Sequence, residues 1–123
     1  MALEDVDNIV KAIAKIESNG VKNALGDGGQ ALGAYQFHPA AFFKWALQPT
    51  LNCTWDDWFN ATICRFLRLL CVKFPDMPPT EAAVVYHRHC YIRRADTADY
   101  IIDDYSKRFQ AAYAAIVTPT NKP

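Results

Sequence analysis

The chain has no excess of either charge. Among its 123 residues, Lys plus Arg number 13 and Asp plus Glu number 13, so the formal net charge is zero. That removes the global basic field through which nucleic-acid proteins usually gather their ligand. There is also no apolar run of about 18 residues, which a membrane-spanning helix would need. The first residues include Glu4, Asp5 and Asp7, where an export signal would have a basic start and an apolar core. No internal repeat and no interdomain linker is visible. With about half the residues hydrophobic, the length fits one packed domain that buries roughly two thirds of its unfolded surface.

Other absences prune the chemistry. The glycine-rich stretch Gly26-Asp27-Gly28-Gly29 is not followed by Gly-Lys-Ser/Thr, which excludes a phosphate-cradling loop. It also lacks the alternating Asp/Asn ligands and distal Glu of a calcium loop. A turn in which Asp27 bonds its own backbone, or a carboxylate serving a site, remains. Four cysteines are present, at 53, 64, 71 and 90, without the paired C-x-x-C spacing of structural zinc. Cys64 and Cys71 fall on one expected helix, about 10.5 Å apart along its axis at roughly 1.5 Å per residue, beyond disulfide reach. At most one intrachain bridge is expected, and it would require Cys90; buried thiols acting as small hydrophobes are the default. His87 and His89 lie on different helical faces, so with Cys90 they make a poor metal set.

The pattern that is present is helical. Val6, Ile9, Val10, Ile13 and Ile16 recur at helical spacing, predicting a first helix from about Asp5 to Ser18, stopped at Asn19-Gly20. The glycines between Val21 and Leu32 preclude a long helix and predict a glycine-rich loop or short hairpin. His38-Pro39 begins a further helix through about Leu47. Thr54, followed by Trp55-Asp56-Asp57, starts a helix to about Lys73. Its apolar residues, from Trp55 to Leu70, spread around much of the circumference, the mark of a central helix packed by several neighbours. Pro75, Pro78 and Pro79 break the chain, Thr80-Glu81 opens a helix reaching His89 or Cys90, and a last helix begins near Asp96-Thr97. It carries Tyr105, Phe109, Ala112, Tyr113 and Ile116 on one side. Residues 118–123 read as a disordered tail after a domain spanning 1–117.

One carboxylate is oddly placed. At about 100° per residue, Val6, Val10, Ile13 and Glu17 share a face, so Glu17 projects with the apolar stripe. Burial disfavours the charged form of a carboxyl and raises its pKa, as a general acid working near neutral pH requires. The bland alternative is a Glu in the last turn that swings out to water. Tyr35, Phe37, Phe42, Phe43 and Trp45 make the following region aromatic, with Phe42 and Phe43 read as core.

Glu17-Ser18-Asn19-Gly20, followed by Gly26-Asp27-Gly28-Gly29-Gln30-Ala31-Leu32-Gly33-Ala34-Tyr35-Gln36-Phe37, resembles the lysozyme-like superfamily of peptidoglycan-cleaving enzymes. Within it the chain is most similar to the lytic-transglycosylase and invertebrate-type (destabilase) lysozyme branches. In that superfamily a helix-ending E-S-x-G precedes a loop and a G-x-x-Q-[IF] segment. A weaker echo comes from Val84-Val85-Tyr86-His87-Arg88-His89 and the Tyr-rich helix ending Arg108-Phe109-Gln110-Ala111-Ala112-Tyr113, and the matching parts cover about half the chain. Two departures stand out: Asn19 where Gly is usual, and His87-Arg88-His89 where Asn and Gly are commoner.

The resemblance implies a mainly α, single lysozyme-like domain with a Gly-rich loop or short hairpin after the first helix. It implies cleavage of the β-1,4 bond between N-acetylmuramic acid and N-acetylglucosamine, with Glu17 as general acid. Asp27 is then the candidate second carboxylate, favouring hydrolysis slightly over transglycosylation. Ser18, Gln30, Tyr35, Gln36, Tyr86 and His87 are expected to contact substrate, the Gln amide being able both to donate and to accept. No cofactor or metal is implied. The expected partners are peptidoglycan strands, with chitin oligomers as a related polymer; nucleic acid and stable membrane insertion are not expected, and the protein acts as a monomer. The expected location is extracellular or periplasmic, or phage-delivered, with no export signal in the chain as given. Charge neutrality weighs mildly the other way, since wall-binding enzymes are often basic, and leaves a non-catalytic glycan-binding or adaptor domain as the alternative.

Overall fold

The computed structural model describes residues 1–21, 25–26, 31–32, 34–35, 55–90 and 99–118. The protein is mainly helical, with α1 (Val6–Ser18), α2 (Trp55–Lys73), α3 (Pro79–Cys90) and α4 (Asp99–Val117). A two-residue antiparallel ladder pairs β1 (Leu25–Gly26) with β2 (Ala31–Leu32), in the register Leu25 to Leu32 and Gly26 to Ala31. The expected helix after Pro39 and the tail from residue 119 lie outside the described residues. Among the described residues no helix is long and apolar enough to cross a membrane.

A short 3-10 turn at Leu3–Asp5 leads into α1, and the Asp5 carboxylate accepts the Ala2 amide at 2.8 Å. The stripe read from the sequence is then buried: Val6, Ile9, Val10, Ala12 and Ile13 are at most 2% exposed. The helix ends where Asn19 turns left-handed at φ 56° and Gly20 follows at φ 78°. Asn tolerates this conformation better than most residues, and Gly has no Cβ to oppose it. Two carbonyls of the last turn are thereby satisfied, because Asn19 N–H donates to Lys15 O at 3.0 Å and Gly20 N–H to Ala14 O at 3.2 Å.

Among the described elements, α1 is the helix that packs against all three of the others. It packs against α4, α2 and α3, whereas α2 rests mainly on α1 and α3. On α2, Phe59, Ile63, Phe66 and Leu67 face inward, but Val72 remains 73% exposed, and Arg65 and Arg68 hold the outer face open to water. Of the apolar residues that suggested a central α2, Phe59, Ile63, Phe66 and Leu67 are buried and Leu69 and Leu70 half-buried. After α2, the turn is closed by Phe74 N–H to Leu70 O at 2.8 Å and Met77 N–H to Phe74 O at 3.0 Å. Pro79 occupies the first position of α3, where its missing N–H costs nothing.

Helix α3 contributes Ala82, Ala83 and Tyr86, and α4 contributes Tyr105 and Phe109, to one continuous core with α1 and α2. Two alanines on α3 let its backbone approach its neighbours closely. The large side chains supply the drive, since full burial of an aliphatic or aromatic side chain is worth about 1.5–3 kcal/mol. The face of α3 that continues past Tyr86 meets the last turn of α1, where Glu17 lies.

Candidate active site at the end of α1

Glu17 occupies the last turn of α1, one position past the half-buried Ile16. Its side chain is only 18% exposed, and Oε1 stands 3.9 Å from Nδ1 of His87, itself 11% exposed in its side chain. This separation is electrostatic rather than hydrogen-bonding. The His87 ring is stacked on Tyr105, with centroids 4.1 Å apart and planes 25° from parallel. Stacking fixes the plane of the imidazole, so the edge carrying Nδ1 is held toward α1. Tyr105 is 1% exposed, making it a rigid backing for that ring.

Two contacts set the terminus of α1. The Ser18 hydroxyl donates to the Ala34 carbonyl at 2.5 Å, docking the turn at 34–35 against the helix end beside Glu17. From the other side, Arg108 on α4 reaches the Ile16 carbonyl with Nη1 at 3.2 Å while its Nε donates to Asp104 at 2.9 Å. A guanidinium at a helix C-terminus satisfies an orphan carbonyl and complements the negative end of the dipole. Tyr35, next to Ala34, is held in turn: its hydroxyl accepts from Nδ2 of Asn60 on α2 at 3.0 Å.

Of the residues expected at the site, the structure brings together Glu17, Ser18, Tyr35 and His87. Ser18 acts as a strut, its hydroxyl bonded to the Ala34 carbonyl. Tyr86 is 1% exposed and edge-on to Phe66 with centroids 6.3 Å apart, so its ring is packed in the core. A step of one residue on α3 turns the side chain by about 100°, which separates the core-facing Tyr86 from His87. His89 lies elsewhere, against Phe66 at 5.2 Å between centroids. Asp27, Gln30 and Gln36 lie outside the described residues. Asn60, Tyr105 and Arg108 were not singled out for the site in the sequence, because each acts on a residue of another element. Their one available signal is spacing: Asn60 adjoins the buried Phe59, and Arg108 follows Tyr105 by three positions.

Chemically, the pair offers one carboxyl and one imidazole in a setting with little water. With His87 neutral, the half-desolvated Glu17 can carry and donate a proton; with His87 protonated, the neighbouring positive charge would hold Glu17 as carboxylate. Among the described residues no cluster of three or more His, Cys, Asp or Glu could hold a metal. Cys64 and Cys71 are buried free thiols. Comparison of the chain with models of protein families, with curated proteins and with solved structures found no match.

Proposed function

We propose that this chain is a lysozyme-like domain that cleaves the β-1,4 glycosidic bond between N-acetylmuramic acid and N-acetylglucosamine in peptidoglycan. The observation that supports it best is the placement of Glu17: 18% exposed, at a capped helix end, with a stacked imidazole 3.9 Å away. A carboxyl held out of water in this way is suited to protonate a glycosidic oxygen, and general acid catalysis of that kind is worth about 10²–10⁴ in rate. Once the leaving oxygen is protonated, Asp27 near the anomeric carbon would stabilise the oxocarbenium or form the glycosyl intermediate, and water would complete hydrolysis with retention. Without Asp27 in reach, Glu17 would take a proton from the sugar's own 6-hydroxyl and leave an anhydro product. Tyr35, whose hydroxyl accepts from Asn60, would form a wall of the sugar cleft.

A non-catalytic glycan-binding domain is the second reading, and His87 favours it. An imidazolium beside Glu17 would keep the carboxyl ionised and unable to donate, a state that a binding domain tolerates and a glycosidase does not. The test is digestion of purified peptidoglycan by wild type and Glu17→Gln, with products read by mass spectrometry. Reducing muropeptides from wild type alone support hydrolysis, and anhydro-muropeptides support transglycosylation. Glycan binding by both proteins with no soluble product from either would overturn the enzyme reading in favour of the binding domain.

A further inference from the structure

A concavity lined by none of the Glu17 site's helix-end residues runs along the outer face of α2. It has a volume of about 600 Å³ and is bounded by Asp7 at the start of α1 and by residues of α2 from Asn60 to Val72, a size that admits a small ligand. Its apolar part is made by Leu69, Val72 and Cys64. Cys64 is 6% exposed, and burial, as the largest influence, pushes its thiol upward from the ordinary range. The thiol therefore stays neutral and contributes an uncharged floor.

The rim is charged. Arg65 and Arg68 both line the groove; three positions apart on one helix, they are neighbours separated by about 4.5 Å along its axis. The salt bridges among the described residues join other groups, and Arg108 shows the contrast by pairing with Asp104 within its own helix. The groove thus presents two guanidiniums against one carboxylate, that of Asp7. Its complement is a short ligand with an excess of carboxylates, an apolar backbone and a single positive charge. Guanidinium forks pair well with carboxylates, and Asp7 suits an amine.

Asn60 joins this groove to the candidate active site. Its amide lines the groove, donates to the Tyr35 hydroxyl at 3.0 Å and accepts from Sγ of Cys64 at 3.6 Å. Tyr35 adjoins Ala34, whose carbonyl takes the Ser18 hydroxyl beside Glu17. A polymer lying across Tyr35 would have its side branches within reach of α2.

We infer that the Arg65–Arg68 groove is a subsite for an acidic peptide, and, resting on the peptidoglycan reading above, that its occupant is the peptide stem of the glycan strand. Such stems carry carboxylates and, through a diamino acid, an amine. The domain would then discriminate peptide-bearing strands from bare glycan or chitin by charge, while Glu17 acts on the sugar.

The test titrates a synthetic, sugar-free stem tetrapeptide, with free carboxylates and a free side-chain amine, into wild type, Glu17→Gln and the double variant Arg65→Ala/Arg68→Ala. Both arginines are exposed, and circular dichroism checks that the fold is retained. The expected result is calorimetric binding to wild type and to Glu17→Gln alike. A loss of about tenfold is expected in the double variant, in line with two solvent-facing ion pairs, together with weakening as salt is raised. Equal affinity of wild type and double variant, or no affinity in wild type, would overturn the groove even if glycan is cleaved. Peptide binding by a protein that cleaves no glycan would uphold the groove and overturn the glycosidase reading.

Discussion

The two ends of α1 carry the same stripe and meet different neighbours. From Val6 to Ile13 the stripe is apolar and is closed over by Phe59, Ile63, Tyr105 and Phe109 in one core. One turn further on, Glu17 occupies the same face and meets His87, with Ser18 and the Ile16 carbonyl tied to Ala34 and Arg108. At the first end the neighbours remove water and ask only for volume. At the second they remove most of the water but leave polar edges, so a carboxyl is half-buried beside an imidazole. A site of this kind arises where a continuous core runs out, not where the core is interrupted.

The comparison breaks most sharply at Ile13, which is fully buried. Ile13→Ala should cost about 2–5 kcal/mol of stability by lost transfer energy and the cavity left behind, seen as a lower urea midpoint. Glycan cleavage would fall only in proportion to the unfolded fraction. At the other end the balance reverses. Glu17→Gln should lower turnover by about 10²–10⁴-fold while stability stays within about 1 kcal/mol, so a large drop in the urea midpoint would mean that Glu17 is structural.

A smaller change tests the cap between them. Arg108→Ala removes the donor to the Ile16 carbonyl and should cost about 0.5–1 kcal/mol. Amide exchange should quicken at Asn19 and Gly20, whose bonds run back to Lys15 and Ala14, and stay unchanged at Val10 and Ile13. Uniform quickening would mean that the end of α1 is not a separate unit.

The smallest effect concerns α2. Burial raises the Cys64 thiol, with Arg68 opposing and Asp7 reinforcing the shift. In alkali the unfolded chain therefore releases this proton before the folded chain does. The native state then binds more protons, and stability falls as pH rises through the thiol range. Cys64→Ala should flatten the alkaline part of the stability curve, and iodoacetamide should label Cys64 more slowly in native than in urea-unfolded protein. Equal labelling rates would contradict the buried, neutral floor of the groove.

Particular residues show how far the sequence reached. The spacing of Val6, Val10, Ile13 and Glu17 was readable because a helix repeats every 3.6 residues whatever surrounds it, and α2 and α3 were expected within a residue or two of their observed limits for the same reason. Tyr86 and His87 were not separable, since both fit a cleft wall by residue type and only the docking of α3 decides which of two adjacent side chains faces the core. Asn60 and Arg108 were invisible as site residues because their partners, Tyr35 and Ile16, lie far away in the chain. The resemblance in Glu17-Ser18-Asn19-Gly20 supplied the functional reading, and periodicity alone would have stopped at a half-buried carboxylate.

By itself, the sequence determined the mainly helical character of the chain, the apolar face of α1, the stop at Asn19-Gly20 and the absence of a membrane-length apolar run. These depend on local propensity and on spacing within one element. The tertiary structure alone decided that α1 packs against all three of the other described helices and that His87 stands against Glu17 with Tyr105 behind it. It also decided that Arg65 and Arg68 face open water. Each of those depends on the relative rotation of two helices, which is set by the packing of their facing side chains across the core and is not encoded in either helix taken singly.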